Sequence, residues 1–326
     1  MIVAKSNFPE SMSAPAGSLP DISTGFVSAL DHLGVIEASG DDAAVFLHNQ
    51  LTNDILGLEQ GRIELAGYCS AKGRLIATMM VWRHNDRFFL ALPAELLPGF
   101  MKRLQMFVLR SKVSLKDVTE AQLMIGAAGL PANNALPVWQ GTADERGMRV
   151  RVPDAGKLQR WLCVGPLEHV QQQWAEWATT RPIAPSSIWR WSEIIAGLPQ
   201  VVEATREQFV PQMINFELVG GVNFKKGCYP GQEVVARSQY LGKTKRRTLL
   251  ALTDDVTAGA GTEVFSASDP EQPCGMLVNA ESGPDGRVAC LVEMKLDARF
   301  SPVHLRSVSG SVLNFGELPY ALNDAA

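Results

Sequence analysis

The feature that most constrains this chain is a change of pattern near residue 248. From 34 to 118 short apolar runs alternate with apolar residues at helical spacing. From 248 to 326 the chain breaks into short β runs, 248–252, 275–278 and 287–292, separated by Gly, Pro, Asp and Ser clusters. The first pattern is that of helices laid on a sheet, and the second that of a small all-β domain. With 326 residues the chain is long enough for two to three domains and buries about three quarters of its unfolded surface. The longest uncharged apolar runs, such as 75–82, fall far short of the roughly 20 residues of a membrane span.

Residues 34–39 read as a strand. Gly40-Asp41-Asp42 then offers N-cap carboxylates to a helix carrying Ala43, Phe46, Leu47 and Leu51. Runs 67–70, 74–81 and 87–92 are strand-like, divided by Ala71-Lys72-Gly73 and His84-Asn85-Asp86, which is turn chemistry. A helix over 96–107 and a strand over 112–118 complete an α+β order. A similar alternation follows, with strands over 122–125, 148–152 and 158–164 and a helix over 166–177. The two α+β units are either in tandem or interleaved. After Pro182 and Pro185, a helix over 188–196 is closed by Gly197 and Pro199, a glycine C-cap followed by proline. These elements give a flexible polar tail over 1–20, which is no signal peptide. An α+β region over 21–242 follows, with internal boundaries near 118 and 186, and a β domain over 243–326.

The five cysteines, Cys69, Cys163, Cys228, Cys274 and Cys290, are scattered and form no C-x-x-C. This pattern fits neither a disulfide scaffold nor a structural zinc site and points to a reducing, cytoplasmic compartment. The net charge is −4, yet residues 225–247 hold Lys225, Lys226, Arg237, Lys243, Lys245, Arg246 and Arg247 against the single acid Glu233. Such a run is either a solvated face or a phosphate grip.

Common catalytic motifs are absent. Gly242-Lys243-Thr244 resembles the end of a phosphate loop, but Arg237 stands where that loop needs glycine. The informative stretch is Gly220 to Arg237, GGVNFKKGCYPGQEVVAR. Pro230 suits the first helical position, with Gln232 and Glu233 in the first turn. That places Cys228 at or just before a helix N-terminus and two residues from Lys226. Unpaired helix N–H groups and a nearby ammonium both favour thiolate, so a lowered Cys228 pKa is expected; an inert cysteine packed behind a turn is the alternative.

Lys226-Gly227-Cys228-Tyr229-Pro230-Gly231-Gln232-Glu233 matches the K-G-C-Y-x-G-Q-E signature of the YgfZ family, folate-binding proteins related to the aminomethyltransferase (T-protein) of the glycine cleavage system. The resemblance extends through Gln50-Leu51-Thr52-Asn53-Asp54, Cys69-Ser70-Ala71-Lys72-Gly73-Arg74, Phe209-Val210-Pro211-Gln212 and Leu318-Pro319-Tyr320. It implies two α+β subdomains and a C-terminal antiparallel β-barrel, arranged as a ring around an opening that holds tetrahydrofolate or a derivative. It also implies a role in assisting iron–sulfur enzymes that methylthiolate tRNA, and in maintaining iron–sulfur enzymes. Cys228 then corresponds to the family's functional cysteine, Lys226 to its lysine and Trp189 to a folate-site tryptophan. Tyr229, Gln232, Glu233 and Arg237 are further candidate cofactor contacts. No metal site is expected.

The departures separate two functional readings. T-protein aminomethyltransferases carry an aspartate in the strand after the glycine turn, whereas this chain has Ala77 and Thr78 there. Loss of a carboxylate poised for acid–base work removes a contribution of about 10²–10⁴-fold. Leu33 stands where a second folate tryptophan falls, and Ile195 where an acid precedes Ala196-Gly197. The leading reading is therefore a monomeric, cytoplasmic, folate-binding accessory protein of tRNA modification, without membrane association. The alternatives are an aminomethyltransferase acting on tetrahydrofolate and an RNA-binding module using residues 225–247, which would also supply a weak tRNA contact under the first reading.

Overall fold

The computed structural model describes residues 7–15, 19–131, 136–240 and 245–322. Its strands form three sheets. One has the order β1-β7-β10-β9-β8, from Phe26–Ala29 (β1), Leu123–Ala128 (β7), Leu158–Gly165 (β10), Met148–Ala155 (β9) and Gly141–Ala143 (β8), every neighbouring pair antiparallel. The next has the order β3-β4-β5-β2-β6, from Ile63–Cys69, Leu75–His84, Arg87–Pro93, Leu33–Ser39 and Ser114–Asp117. The chain enters the first sheet with β1, builds β2 to β6, and only then returns to add β7 beside β1. The two α+β units are thus interleaved rather than tandem.

Helices α1 (Ala43–Gln50), α2 (Leu97–Val108), α3 (Leu167–Ala178), α4 (Ser186–Ile195) and α5 (Gln232–Tyr240) fall within a few residues of the expected spacings. The carboxylate of Asp42 does not cap α1. It accepts the backbone N–H of Lys112 at 2.7 Å, while Asp41 pairs with the Lys112 ammonium at 3.1 Å. Helix α4 ends as its sequence indicates. Gly197, at φ +67°, donates to Ile194 O and Leu198 donates to Glu193 O, the paired bonds of a Schellman cap. The Tyr320 hydroxyl, from the Leu318-Pro319-Tyr320 ending, donates to Gly197 O at 2.8 Å.

Packing divides the described residues into two units. The first runs up to Phe46 and adds Gly57–Glu64 and Met80–Trp189; the second takes Leu47–Leu56, Leu65–Met79 and everything from Arg190 on. The second unit therefore contains the β domain together with residues from the middle of the α+β region, a partition that departs from the cuts near 118 and 242 expected from sequence.

In the first unit, Val27, Ile125, Trp161, Trp174 and Trp177 pack between the first sheet and α3, and Phe8 and Met12 join them. A loose tail over 1–20 is therefore not what its described part forms: Glu10–Met12 make a 3-10 turn and Met12 is 1% exposed. Two apolar anchors suffice to tie down a segment whose average is polar.

In the second unit, the third sheet has the order β15-β12-β13-β14-β11-β16, from Val303–Leu305, Glu263–Ser266, Asp269–Ser282, Val288–Lys295, Arg246–Thr253 and Asn314–Phe315. It curls until one segment serves both edges. Ser311 and Leu313 bond to the backbone of β15, and Asn314 and Phe315 pair with β11. Cys274, Cys290, Leu277 and Val292 fill the interior.

Packing pairs three of the basic residues in the 225–247 stretch with acids. Arg246 holds Glu293 through two bonds of 2.5 and 2.8 Å, Arg247 is buried against Glu217 and Gln212 O, and Arg237 pairs with Glu233 at 2.9 Å. Lys243 lies outside the described residues. Counting charge along the sequence missed Glu293 and Glu217 because neither is near in sequence.

Candidate functional site

The loop that carries Cys228 is held at three points by segments of the second unit, the first two by residues 48–53 and the third by the turn that carries Gly73. At its start, the Thr52 hydroxyl donates to Gly221 O at 2.6 Å and accepts Gly67 N–H at 2.7 Å. The Asn53 amide bridges Leu65 O and Gly220 O, both at 2.8 Å. Gly220 sits at φ +85°, where glycine carries no Cβ penalty.

In its middle, the Lys226 ammonium donates to His48 O and to Leu51 O, the latter at 2.8 Å. These carbonyls close α1, and the last carbonyls of a helix have no intrahelical donor and carry its negative dipole end. Lys226 therefore caps α1. It also lies 4.9 Å from the centre of the Tyr229 ring, within cation–π range.

At its end, Gly231 takes φ +77°, and an added Cβ there would lie 2.4 Å from Ser70 O and 2.7 Å from Gly73 Cα. Gly73, at φ +70°, turns the β3–β4 hairpin, and a Cβ on it would meet Val234 at 2.8 Å. The glycines of C-S-A-K-G-R and K-G-C-Y-P-G-Q-E thus allow two backbones to touch. Gln212, of the Phe209–Gln212 segment, anchors the helix that follows by donating to Val235 O at 2.8 Å.

Between these anchors Cys228 is exposed, whereas Cys69, Cys163, Cys274 and Cys290 are buried. Burial pushes the thiols of Cys69, Cys163 and Cys290 up to about 12 and raises that of Cys274. They are inert at neutral pH. One expectation about Cys228 fails: α5 begins at Gln232, because the left-handed Gly231 interrupts the run and leaves Pro230 in a turn. Cys228 accordingly lies ahead of the helix rather than on its N-terminal amides.

Burial lowers the Lys226 ammonium to about 8, against the opposing pull of Asp54 and Cys228. His48 pairs with Asp54 at 3.1 Å, and its imidazole is held below its usual pKa by burial and by Lys226. Burial also raises the Tyr229 hydroxyl. Sequence reasoning did not assign roles to His48 or Asp54; the one signal was Asp54's place in the Gln50–Asp54 segment. Gln232 starts α5, and Glu233 and Arg237 engage each other on its exposed side.

Trp189 belongs to the first unit, apart from the Cys228 loop in the division of the chain. It is 1% exposed. The Arg160 guanidinium lies 4.8 Å from the centre of its ring, and a Cβ on Gly126 would come within 2.3 Å of it. It offers no open stacking face. On β4, Ala77 is buried and Thr78 is committed, its hydroxyl accepting Val201 N–H at 2.9 Å. Among the described residues no three His, Cys, Asp or Glu side chains are grouped to hold a metal, and no helix is long and apolar enough to cross a membrane.

Comparison with known proteins places these segments in context. No family model matches the chain. It is 28% identical over 314 residues to the tRNA-modifying protein YgfZ of Vibrio vulnificus, covering 94% of this chain and 95% of the relative. It is 28% identical over 309 residues to the protein of that name from Aliivibrio fischeri, covering 91% and 93%. The glycine cleavage system aminomethyltransferase T of Bartonella henselae superposes with a TM-score of 0.72 over 95% of this chain and 91% of that one, at 15% identity. The fold is that of the T-protein.

Proposed function

We propose that this chain is a folate-binding accessory protein of tRNA modification that supports iron–sulfur enzymes in the cytoplasm, with Cys228 as its working thiol. The observation that carries this reading is the Cys228 loop: three separate sequence segments hold it, and among the described residues Cys228 is the one exposed thiol, beside the exposed Lys225. End-to-end similarity to proteins named for tRNA modification supports the process, and the T-protein fold supports a tetrahydrofolate-type ligand.

Lys226 acts by fixing the loop through α1 and by placing a positive charge near the thiol. Tyr229 supports it from below. Gln232, Glu233 and Arg237 are proposed as ligand contacts on the first turns of α5, and Trp189, buried as it is, as a residue on which folate binding depends other than by stacking on the pterin. An aminomethyltransferase has less support, since Ala77 and Thr78 supply no carboxylate.

The test is complementation of a strain defective in tRNA methylthiolation. Cys228→Ser is expected to abolish it with the melting temperature unchanged, and full activity of that variant would refute the thiol's role. Tryptophan-fluorescence titration with tetrahydrofolate tests the ligand, with Trp189→Ala expected to weaken binding; a wild-type chain that gives no saturable change would remove folate from the reading. Formation of 5,10-methylene-tetrahydrofolate from aminomethylated lipoyl protein would favour the aminomethyltransferase instead.

A further inference from the structure

The far end of α2 exposes three large apolar side chains within four positions: Met106 is 59% exposed, Phe107 44% and Leu109 87%. The opposite side of the helix is ordinary core, with Leu97, Phe100 and Leu104 buried. Water gains nothing from such a cluster, and contiguous exposed apolar surface marks a contact site. Leu109 adds a second observation. Its backbone takes φ 41° and ψ −102°, a conformation that a branched side chain avoids, and strain of this kind persists where function maintains it. Here it projects a leucine into solvent.

Charge indicates the occupant. From Leu96 to Val113 the chain holds Lys102, Arg103, Arg110 and Lys112 and no acid, so this stretch is +4 in a chain whose total is −4, leaving −4 − 4 = −8 for the remainder. Lys102 and Arg110 are exposed, and Lys112 is engaged by Asp41 on the surface. With Arg103 half-buried and Lys112 held by Asp41 and Asp42, Lys102 and Arg110 are the exposed cations that flank the apolar cluster, and such a pair draws a polyanion. Phosphates are held by such lysines and arginines, while Phe, Leu and Met serve as wedges that enter and open a base step. Single bases also stack on an exposed phenyl ring.

We propose that the end of α2 is a tRNA-contacting surface, with Lys102 and Arg110 on phosphates and Met106, Phe107 and Leu109 pressed against bases. This rests on the reading that the chain works in tRNA modification and names a surface that reading lacks, since the basic stretch over 225–247 spends Arg246 and Arg247 on Glu293 and Glu217.

Filter binding of an unmodified tRNA transcript to the full chain, at about 50 and 200 mM salt, tests it. Lys102→Glu with Arg110→Glu should weaken binding at least about tenfold and flatten the salt slope by about 1.5–2, the share of two phosphate contacts. Phe107→Ala with Leu109→Ala should weaken binding about tenfold with the slope unchanged, because stacking releases no counterions. All four positions are solvent-facing, so the melting temperature should hold and exclude misfolding. A wild-type chain that does not bind tRNA, or variants that bind as wild type, would overturn the proposal. So would variants that keep tRNA binding but lose adsorption to phosphatidylcholine–phosphatidylserine vesicles, which would assign the surface to lipid. If tRNA binding fails while Cys228→Ser still abolishes tRNA methylthiolation, the proposed function stands and only this surface falls.

Discussion

The Gly231–Gly73 contact makes a quantitative prediction that separates close approach from backbone conformation. Gly231→Ala places an L-residue at φ +77°, which costs about 1–2 kcal/mol, offset by about 0.4–1 kcal/mol from the restricted unfolded chain. Gly220→Ala meets the same two effects at φ +85° but has nothing within 4 Å of the new methyl. The difference between the variants is therefore the methyl group driven toward Ser70 O at 2.4 Å and Gly73 Cα at 2.7 Å. These are backbone atoms and cannot swing aside, so overpacking of about 1–3 kcal/mol applies. At about 2–4 °C per kcal/mol, Gly231→Ala should melt about 2–12 °C below Gly220→Ala in a circular-dichroism scan of the full chain. The loop that carries Cys228 should loosen with it. Two variants that melt together would refute the close docking of the two signature segments.

The thiols give a direct test of the burial contrast. Iodoacetamide should label Cys228 alone in the native chain and all five cysteines after denaturation, read by mass spectrometry; comparable native labelling of Cys163 or Cys290 would contradict their burial. Lys226 has a folded pKa lowered to about 8 from 10.5, so its contribution to stability is complete above about 10.5 and is lost as pH falls toward 8. The cost of Lys226→Met, from urea denaturation, should accordingly grow between pH 8 and pH 10, and a pH-independent cost would show that the ammonium is not desolvated. Glu217→Leu leaves Arg247 buried without its counter-charge and should cost about 3–5 kcal/mol, much of it recovered by adding Arg247→Met; a double variant as unstable as the single would rule out the charge explanation.

What the sequence made legible follows the range of the interactions. The β3, β4 and β5 strands and the α4 cap are local patterns, fixed by apolar runs, turn residues and a glycine followed by proline, and they form where those patterns lie. Strand β1 is four residues long, and its partner β7 lies about a hundred positions on; nothing local marks such a pairing. The same limit applies to the site. Sequence reasoning put Lys226 beside Cys228 because they are two residues apart, but the ammonium's hydrogen-bond acceptors are carbonyls 178 and 175 residues away. Likewise Arg246 and Arg247 read as free charge until the fold brought Glu293, from the neighbouring strand β14, and Glu217, from the segment after Pro211–Ile214, to them.

This redistribution changes what the signature means. Lys226 caps α1, Tyr229 lies buried under the ammonium, Gly231 docks on the hairpin and Glu233 pairs with Arg237, so most of the motif is occupied in holding its own loop. A motif read as a set of catalytic groups is, in the fold, largely a mount. Cys228 is the thiol that this mount leaves exposed. Substitutions at Lys226 or Gly231 should thus impair function through the position of that thiol and carry a stability cost, whereas Cys228→Ser should impair it at unchanged stability. A Lys226→Arg variant that keeps the fold and the α1 cap but loses activity would instead give the lysine a chemical role of its own.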